Sequence, residues 1–277
     1  MQLGLRDSFY YRRGGDSLLG RYRYLRLHPL SVGELGLKSS KDLEALLKFG
    51  GFPEPYFSQD DTDWKLWNRE RLYRIVNDDI RDLESVRDIS SIELLAENLP
   101  ERVGSPLSIN NLANDLSVNH RTAENWVRIL ETVYYCFRIA PFGSPKINAV
   151  KKEKKLYLWD WSPIESTGAK FENMVASHLL KFCHFLEDTQ GEQMELRFLR
   201  DVDKREVDFV VLRKKTPLFA VECKTGERSV SEHLRYFKAR TKIPVFYQVH
   251  LGERDYSPEE GIRVLPFTTF CKELGLP

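Results

Sequence analysis

Two short segments near the end of the chain restrict its fold most, Glu206-Val207-Asp208-Phe209-Val210-Val211 and Leu218-Phe219-Ala220-Val221-Glu222-Cys223-Lys224. Each sets charged groups into an otherwise apolar, β-branched and aromatic run of the kind that forms a buried strand. Side chains alternate along a strand, so Glu206 and Asp208 share one face, and Glu222 and Lys224 share one face of the next strand. Antiparallel pairing through Arg213-Lys214-Lys215-Thr216-Pro217 brings the two charged faces together. A buried carboxylate without a partner is costly, so three carboxylates and one ammonium at this place are expected to act as a unit.

Two carboxylates, Asp208 and Glu222, together with a backbone carbonyl and waters suit a hard divalent cation such as Mg²⁺. A lysine two residues from a metal-ligating glutamate, here Lys224, can orient or deprotonate an attacking water and steady charge on a phosphate. The competing reading is a charge pair on a half-exposed edge strand. The D…E-x-K arrangement resembles the PD-(D/E)XK nuclease superfamily. That resemblance implies Asp208 and Glu222 as metal ligands and Lys224 as the catalytic lysine. It also implies Glu172, in the helix-like stretch Phe171-Glu172-Asn173-Met174-Val175, as an accessory acid.

At 277 residues the chain has room for two or three modules. Its 42 basic and 41 acidic residues leave no global field to recruit nucleic acid, so any such contact rests on local patches. The four cysteines, Cys136, Cys183, Cys223 and Cys271, lie far apart with no C-x-x-C, a usage that fits buried free thiols. The six histidines show no ligand spacing. With no membrane-length apolar run and no signal-peptide pattern, a soluble cytoplasmic protein is expected.

The first 36 residues carry Arg6, Arg12, Arg13, Arg21, Arg23 and Arg26 against Asp7, Asp16 and Glu34. Asp16-Ser17-Leu18-Leu19-Gly20-Arg21-Tyr22, then Leu27-His28-Pro29-Leu30-Ser31 and Glu34-Leu35, resemble the closing part of an AAA-type ATPase module. The family in question comprises bacterial and archaeal ATP-binding proteins with a carboxy-terminal domain of unknown function. Gly50-Gly51-Phe52-Pro53-Glu54-Pro55-Tyr56 is similar to the family's junction, and the resemblance covers nearly the whole chain. No G-x-x-x-x-G-K-[ST] phosphate loop is present, so ATP is implied only for a complete family member. Arg21 is then either a sensor arginine of that complete form or a surface ion pair. The expected division is a remnant of the ATPase module over 1–56, a helical and winged-helix-like domain over 57–165, and a nuclease-like domain over 166–277. Residues 1–36 are the expected contact for an ATPase or other protein partner.

Between these landmarks the spacing predicts helices over Lys41 to Phe49, Asp63 to Leu83 and Ile89 to Leu99. Leu107 to Thr122 has the rhythm of a helix-turn-helix, with Leu112, Ala113 and Leu116 on one packing face and Trp126, Ile129 and Leu130 carrying the second helix into the core. Asn119, His120, Arg121, Thr122, Asn125 and Arg128 then lie on its exposed side, where a recognition helix meets a major groove. Tyr134 to Ile139 and Lys155 to Trp159 can pair as a wing, with Lys151, Lys152, Lys154 and Lys155 as a phosphate-contacting patch on or near its loop. From Gly168 the order is helix, three strands, helix, strand, with an edge strand over Ile262 to Pro266. The expected fold class is therefore mixed: a winged-helix-like helical domain followed by a restriction-endonuclease-like mixed sheet flanked by helices. The implied activity is Mg²⁺-dependent phosphodiester hydrolysis of DNA. The alternative is a non-catalytic nucleic-acid-binding or protein-interaction module that regulates an ATPase.

Overall fold

The computed structural model describes residues 25–80, 88–143 and 153–277. Ser31 opens α1 (Val32–Leu35) through a capping box closed by Glu34. Helix α2 (Leu43–Phe49) buries Leu43, Leu46 and Phe49 and stops at Gly50. The next residue, Gly51, accepts no side chain, because a Cβ there would stand 2.7 Å from both Pro29 and Trp161. Pro53 starts α3 (Pro53–Ser58), where its missing N–H costs nothing. Asp60 caps α4 (Asp61–Arg74) by accepting from the N–H groups of Thr62 and Asp63.

The single helix expected over Asp63 to Leu83 is instead α4 followed by a π-helical segment, Ile75–Ile80, and residues 81–87 lie outside the described set. The wider winding has a packing reason. Helix α4 itself buries no residue, whereas Ile75, Val76 and Ile80 are all buried, and an i to i+5 repeat sets Ile75 and Ile80 on one side. Helix α5 (Ile89–Asn98) is capped by Asp88 and runs into a tight turn over Pro100–Arg102. The two helices read from the Leu107 to Thr122 rhythm are α6 (Ile109–Asp115) and α7 (His120–Thr132), capped by Ser108 and Asn119. Ala123, Trp126, Val127, Ile129 and Leu130 form the buried face of α7.

The remaining elements are β1 (Cys136–Pro141), β2 (Lys155–Leu158), α8 (Thr167–Gln190), β3 (Met194–Arg200), β4 (Glu206–Arg213), β5 (Thr216–Lys224), α9 (Glu232–Lys238), β6 (Phe246–His250), β7 (Tyr256–Glu259), β8 (Ile262–Pro266) and α10 (Phe267–Glu273). Strands β1 and β2 pair antiparallel, as the wing reading expects. The hairpin does not stand apart, however. Ala140 and Pro141 of β1 pair in parallel with Arg197 and Phe198 of β3, which makes one eight-stranded mixed sheet ordered β2-β1-β3-β4-β5-β6-β8-β7. Ile262–Pro266 is not the edge expected of it. Strand β7, whose four residues are all exposed, takes that place, and a short polar strand is a common way to blunt a sheet edge.

One apolar core runs through both halves. Phe171, Val175, Leu179 and Cys183 of α8 meet Phe198, Phe209, Val211, Phe219 and Val221 of the sheet, and the same cluster continues to Leu112, Trp126 and Leu130 of the helix-turn-helix. A smaller cluster on the other face packs Leu234 and Phe237 of α9 over Val207, Val210 and Ala220. All four cysteines are free, three of them buried. No helix among the described residues is long and apolar enough to cross a membrane.

His178 ties the first helix to this core. Its Nε2 accepts the N–H of Val32 at 3.0 Å while Nδ1 lies 2.7 Å from the Met174 carbonyl, an arrangement only the neutral ring with its proton on Nδ1 can satisfy. Burial holds the ring down from its ordinary 6.5 to about 4, with Lys181 adding to the shift and Glu34 opposing it. A depressed histidine takes up its proton more readily in the unfolded chain, so its stabilising share is complete above pH 6.5 and lost as pH falls toward 4. Relative to His178→Gln, the wild-type chain should lose up to about 3 kcal/mol across that window. Denaturant unfolding of both proteins at several pH values measures the difference, and parallel pH profiles would contradict the assignment.

Candidate functional site

The charged strands come together at one end of the sheet. Arg197 pairs with Val210 and Leu199 with Val207, so three steps on β4 oppose two on β3, and the extra residue falls beside Asp208. Such bulges re-aim side chains at sheet margins. On the other side of β4, Asp208 lies one step beyond the Phe209–Val221 pair, which sets it opposite Glu222. Asp208 Oδ2 accepts the N–H of Cys223 at 2.8 Å. Glu222 is only 5% exposed. Its Oε1 accepts from Lys224 Nζ at 2.7 Å, and its Oε2 is buried with no hydrogen-bond partner. Glu172 reaches the same place from the first turns of α8, where its Oε1 accepts from the Tyr157 hydroxyl at 2.7 Å.

At the centre stands Lys155, which is 0% exposed. Its Nζ lies 3.1 Å from Glu172, 2.5 Å from Glu206 and 3.6 Å from Asp208. The Phe198 ring is 5.7 Å away, and Arg200 supplies a second cation to Glu206 at 3.0 Å. This overturns the reading of Lys155 as part of a phosphate-contacting patch. The residue begins a strand held by Ile139 of β1 on one side and by a bridge to Pro106 on the other, so its side chain turns inward. Strand alternation puts Lys155 and Tyr157 on one face, and both reach the same oxygen of Glu172. The missed signal was arithmetic: three carboxylates against one ammonium leave negative charge that a buried site must neutralise.

Burial and the Asp208 charge push the Glu222 carboxyl up to about 8, against the opposing effect of Lys224. Burial and Asp208 likewise raise Glu172 to about 7, opposed by Lys155. Burial alone would lower the Lys155 ammonium, but Glu172, Asp208 and Glu206 outweigh it and hold the proton more tightly than in a free lysine. Lys224 is raised by Glu222 in the same way against its own burial. Burial and Asp208 drive the Cys223 thiol well above its ordinary range, which makes it an inert neutral thiol. Among the described residues no group of three or more His, Cys, Asp or Glu side chains is set to hold a metal ion. The donor set that could take one is the pair Asp208 and Glu222, all oxygen, with Glu222 Oε2 unclaimed. This fits a hard cation that keeps most of its own water.

Asn119, His120, Arg121 and Arg128 are exposed on α7, although the Asn119 side chain is engaged in capping the helix through Thr122. Glu124 and Glu131, the acids that dilute this face, are both bound by Arg138 at 2.8–3.1 Å. Lys151, Lys152 and Arg21 lie outside the described residues. The described part of the segment expected to meet a partner contacts α8. Arg26 pairs with Glu187 at 2.7 Å and Asp188 at 2.5 Å, His28 Nε2 lies 2.9 Å from His184 Nδ1, and Glu34 pairs with Lys181.

Residues 40–167 match a domain of unknown function, DUF8612, and residues 167–270 match a second, DUF4143, which is found in AAA-associated proteins. Two uncharacterized proteins of Methanocaldococcus jannaschii are similar. MJ1637 is 24% identical over 83% of this chain and 49% of its own length, and MJ1544 is 25% identical over 79% and 50%. The chain thus spans about half the length of the curated relatives it matches. Among solved structures, a chain of the Thermococcus gammatolerans assembly of McrB AAA+ hexamers with bound McrC superposes at 14% identity over 57% of this chain and 41% of that one. Its TM-score of 0.26 is too low to bear on architecture.

Gly104 presses on the site from the helical side. It has φ +76°, its N–H donates to the Leu156 carbonyl at 3.0 Å, and a Cβ there would meet Glu172 Oε2 at 3.1 Å. Gly104→Ala should therefore cost about 1–2 kcal/mol, from the left-handed backbone and from displacement of the carboxylate together. Denaturant unfolding checks this, and a neutral substitution would contradict the close packing of Gly104 on Glu172.

Proposed function

We propose that this chain is the carboxy-terminal portion of an AAA-associated protein and carries a metal-dependent phosphodiester-hydrolysing site of the PD-(D/E)XK kind. The observation that carries the reading is the buried, unpartnered Oε2 of Glu222 opposite Asp208, with Lys224 on the other oxygen. Asp208 and Glu222 would hold the Mg²⁺, with Glu172 as the accessory acid. Such a cation would supply an acidified water and charge to neutralise the phosphate. Lys224 keeps Glu222 in place with one N–H, and its side chain remains 30% exposed, so its other protons can meet a phosphate oxygen. The helical part, read as a winged helix, presents Asn119, His120, Arg121 and Arg128 to nucleic acid, and Lys151 and Lys152 are assigned by this reading to phosphate contact. Residues 1–36 together with the portion of the relatives this chain does not span account for an ATPase partner, and ATP belongs to that complete form. A cytoplasmic setting fits the four free thiols.

A second reading is favoured by one specific observation. Lys155 already neutralises Glu172, Glu206 and Asp208, which also suits a non-catalytic module that binds nucleic acid or a protein. The two readings part on cleavage of single-stranded, duplex and branched DNA with Mg²⁺ or Mn²⁺. The first expects metal-dependent cleavage that drops at least about 100-fold in Asp208→Ala and in Glu222→Gln. It also expects millimolar Mg²⁺ to raise the melting temperature of the wild type but not of Asp208→Ala. Undiminished cleavage by Asp208→Ala removes the mechanism, while DNA binding with neither cleavage nor a metal shift supports the second reading.

A further inference from the structure

We infer that the ammonium of Lys155 takes the place of a metal ion between Glu172, Glu206 and Asp208, so the cluster accepts at most one divalent cation, at its Asp208–Glu222 end. The wild-type count rests on the cation site proposed above; the role of Lys155 does not. Three oxygens from two different elements converge on Nζ at 2.5–3.6 Å, each a carboxylate, which is the surrounding a hard cation seeks. A metal ion at that point must bind at about 2.0–2.6 Å and would have to expel Nζ.

Lys155 has nowhere to withdraw. Its backbone is held in the ladder with Ile139 and in the bridge to Pro106, and its side chain is wholly buried against the Phe198 ring. The charge balance points the same way. With every carboxyl deprotonated, as cation binding requires, Glu172, Glu206, Asp208 and Glu222 face Lys155, Lys224 and Arg200, four carboxylates against three cations. One divalent ion replaces the single negative excess with a single positive one. A second would leave three uncompensated positive charges in a buried place, where desolvation outweighs any gain. Phosphodiester chemistry at this site is thereby one-metal chemistry, with Lys155 as a positioning residue that acts through the carboxylates rather than on substrate.

Counting Mn²⁺ bound per chain, by electron paramagnetic resonance of the free ion and by calorimetry, tests this on the full chain. Wild type should bind one Mn²⁺, and Lys155→Met should bind one more, with a melting temperature that becomes dependent on Mn²⁺. Lys155→Gln keeps a hydrogen-bonding head among the three carboxylates should the methionine variant not fold, and it too should bind one more ion than wild type. An equal count in wild type and variant overturns the inference, as does a wild-type count of two. No ion in wild type but one in the variant supports the role of Lys155 and removes the Asp208–Glu222 site instead, so the two claims fail separately.

Discussion

The interaction on which the rest of this structure depends is the burial of one lysine among three carboxylates. Lys155 Nζ ties β2 to α8 through Glu172 and to β4 through Glu206 and Asp208. Taking either partner out of such a cluster leaves an uncompensated buried charge, at a cost of about 3–5 kcal/mol. The geometry of Glu172, Asp208 and Glu222 follows from it. Glu172 is drawn from the helix toward the sheet, Asp208 turns at the bulge, and Glu222 is left with one oxygen on Lys224 and one on nothing.

The same contact explains why the helical and sheet portions do not behave as separate blocks. Strand β2 belongs by sequence to the segment after the helix-turn-helix, yet it brings Lys155 and Tyr157 to the carboxylates, while Gly104 packs on Glu172 from the same side. A continuous apolar core from Leu112 and Trp126 to Phe209 and Val221 backs these polar contacts. The exposed face of α7 is therefore one strand away from the site, since α7 leads directly into β1 and Arg138 of β1 holds Glu124 and Glu131 of α7.

Much of this was legible in the residues. Apolar runs marked β3 to β6 and β8, the spacing of Leu112, Ala113, Leu116, Trp126, Ile129 and Leu130 marked α6 and α7, and charged groups in buried strands marked Asp208, Glu222 and Lys224. What escaped was set by tertiary context. Lys155 sits among Lys151, Lys152 and Lys154, so local composition reads it as a basic loop, and only its pairing to Ile139 and Pro106 turns it inward. The π-helical winding at Ile75–Ile80 answers to the core that covers Ile75 and Ile80 rather than to any propensity in the segment. Strand β7 carries no apolar pattern at all, because its exposed side chains have no core to meet.

The most direct test is a crystal structure of the full chain with Mn²⁺, in which anomalous scattering locates every bound ion. The account predicts one peak in contact with Asp208 and Glu222, with Lys155 Nζ still within hydrogen-bonding distance of Glu172 and Glu206. A metal ion seated between Glu172 and Asp208 with Lys155 displaced would contradict it.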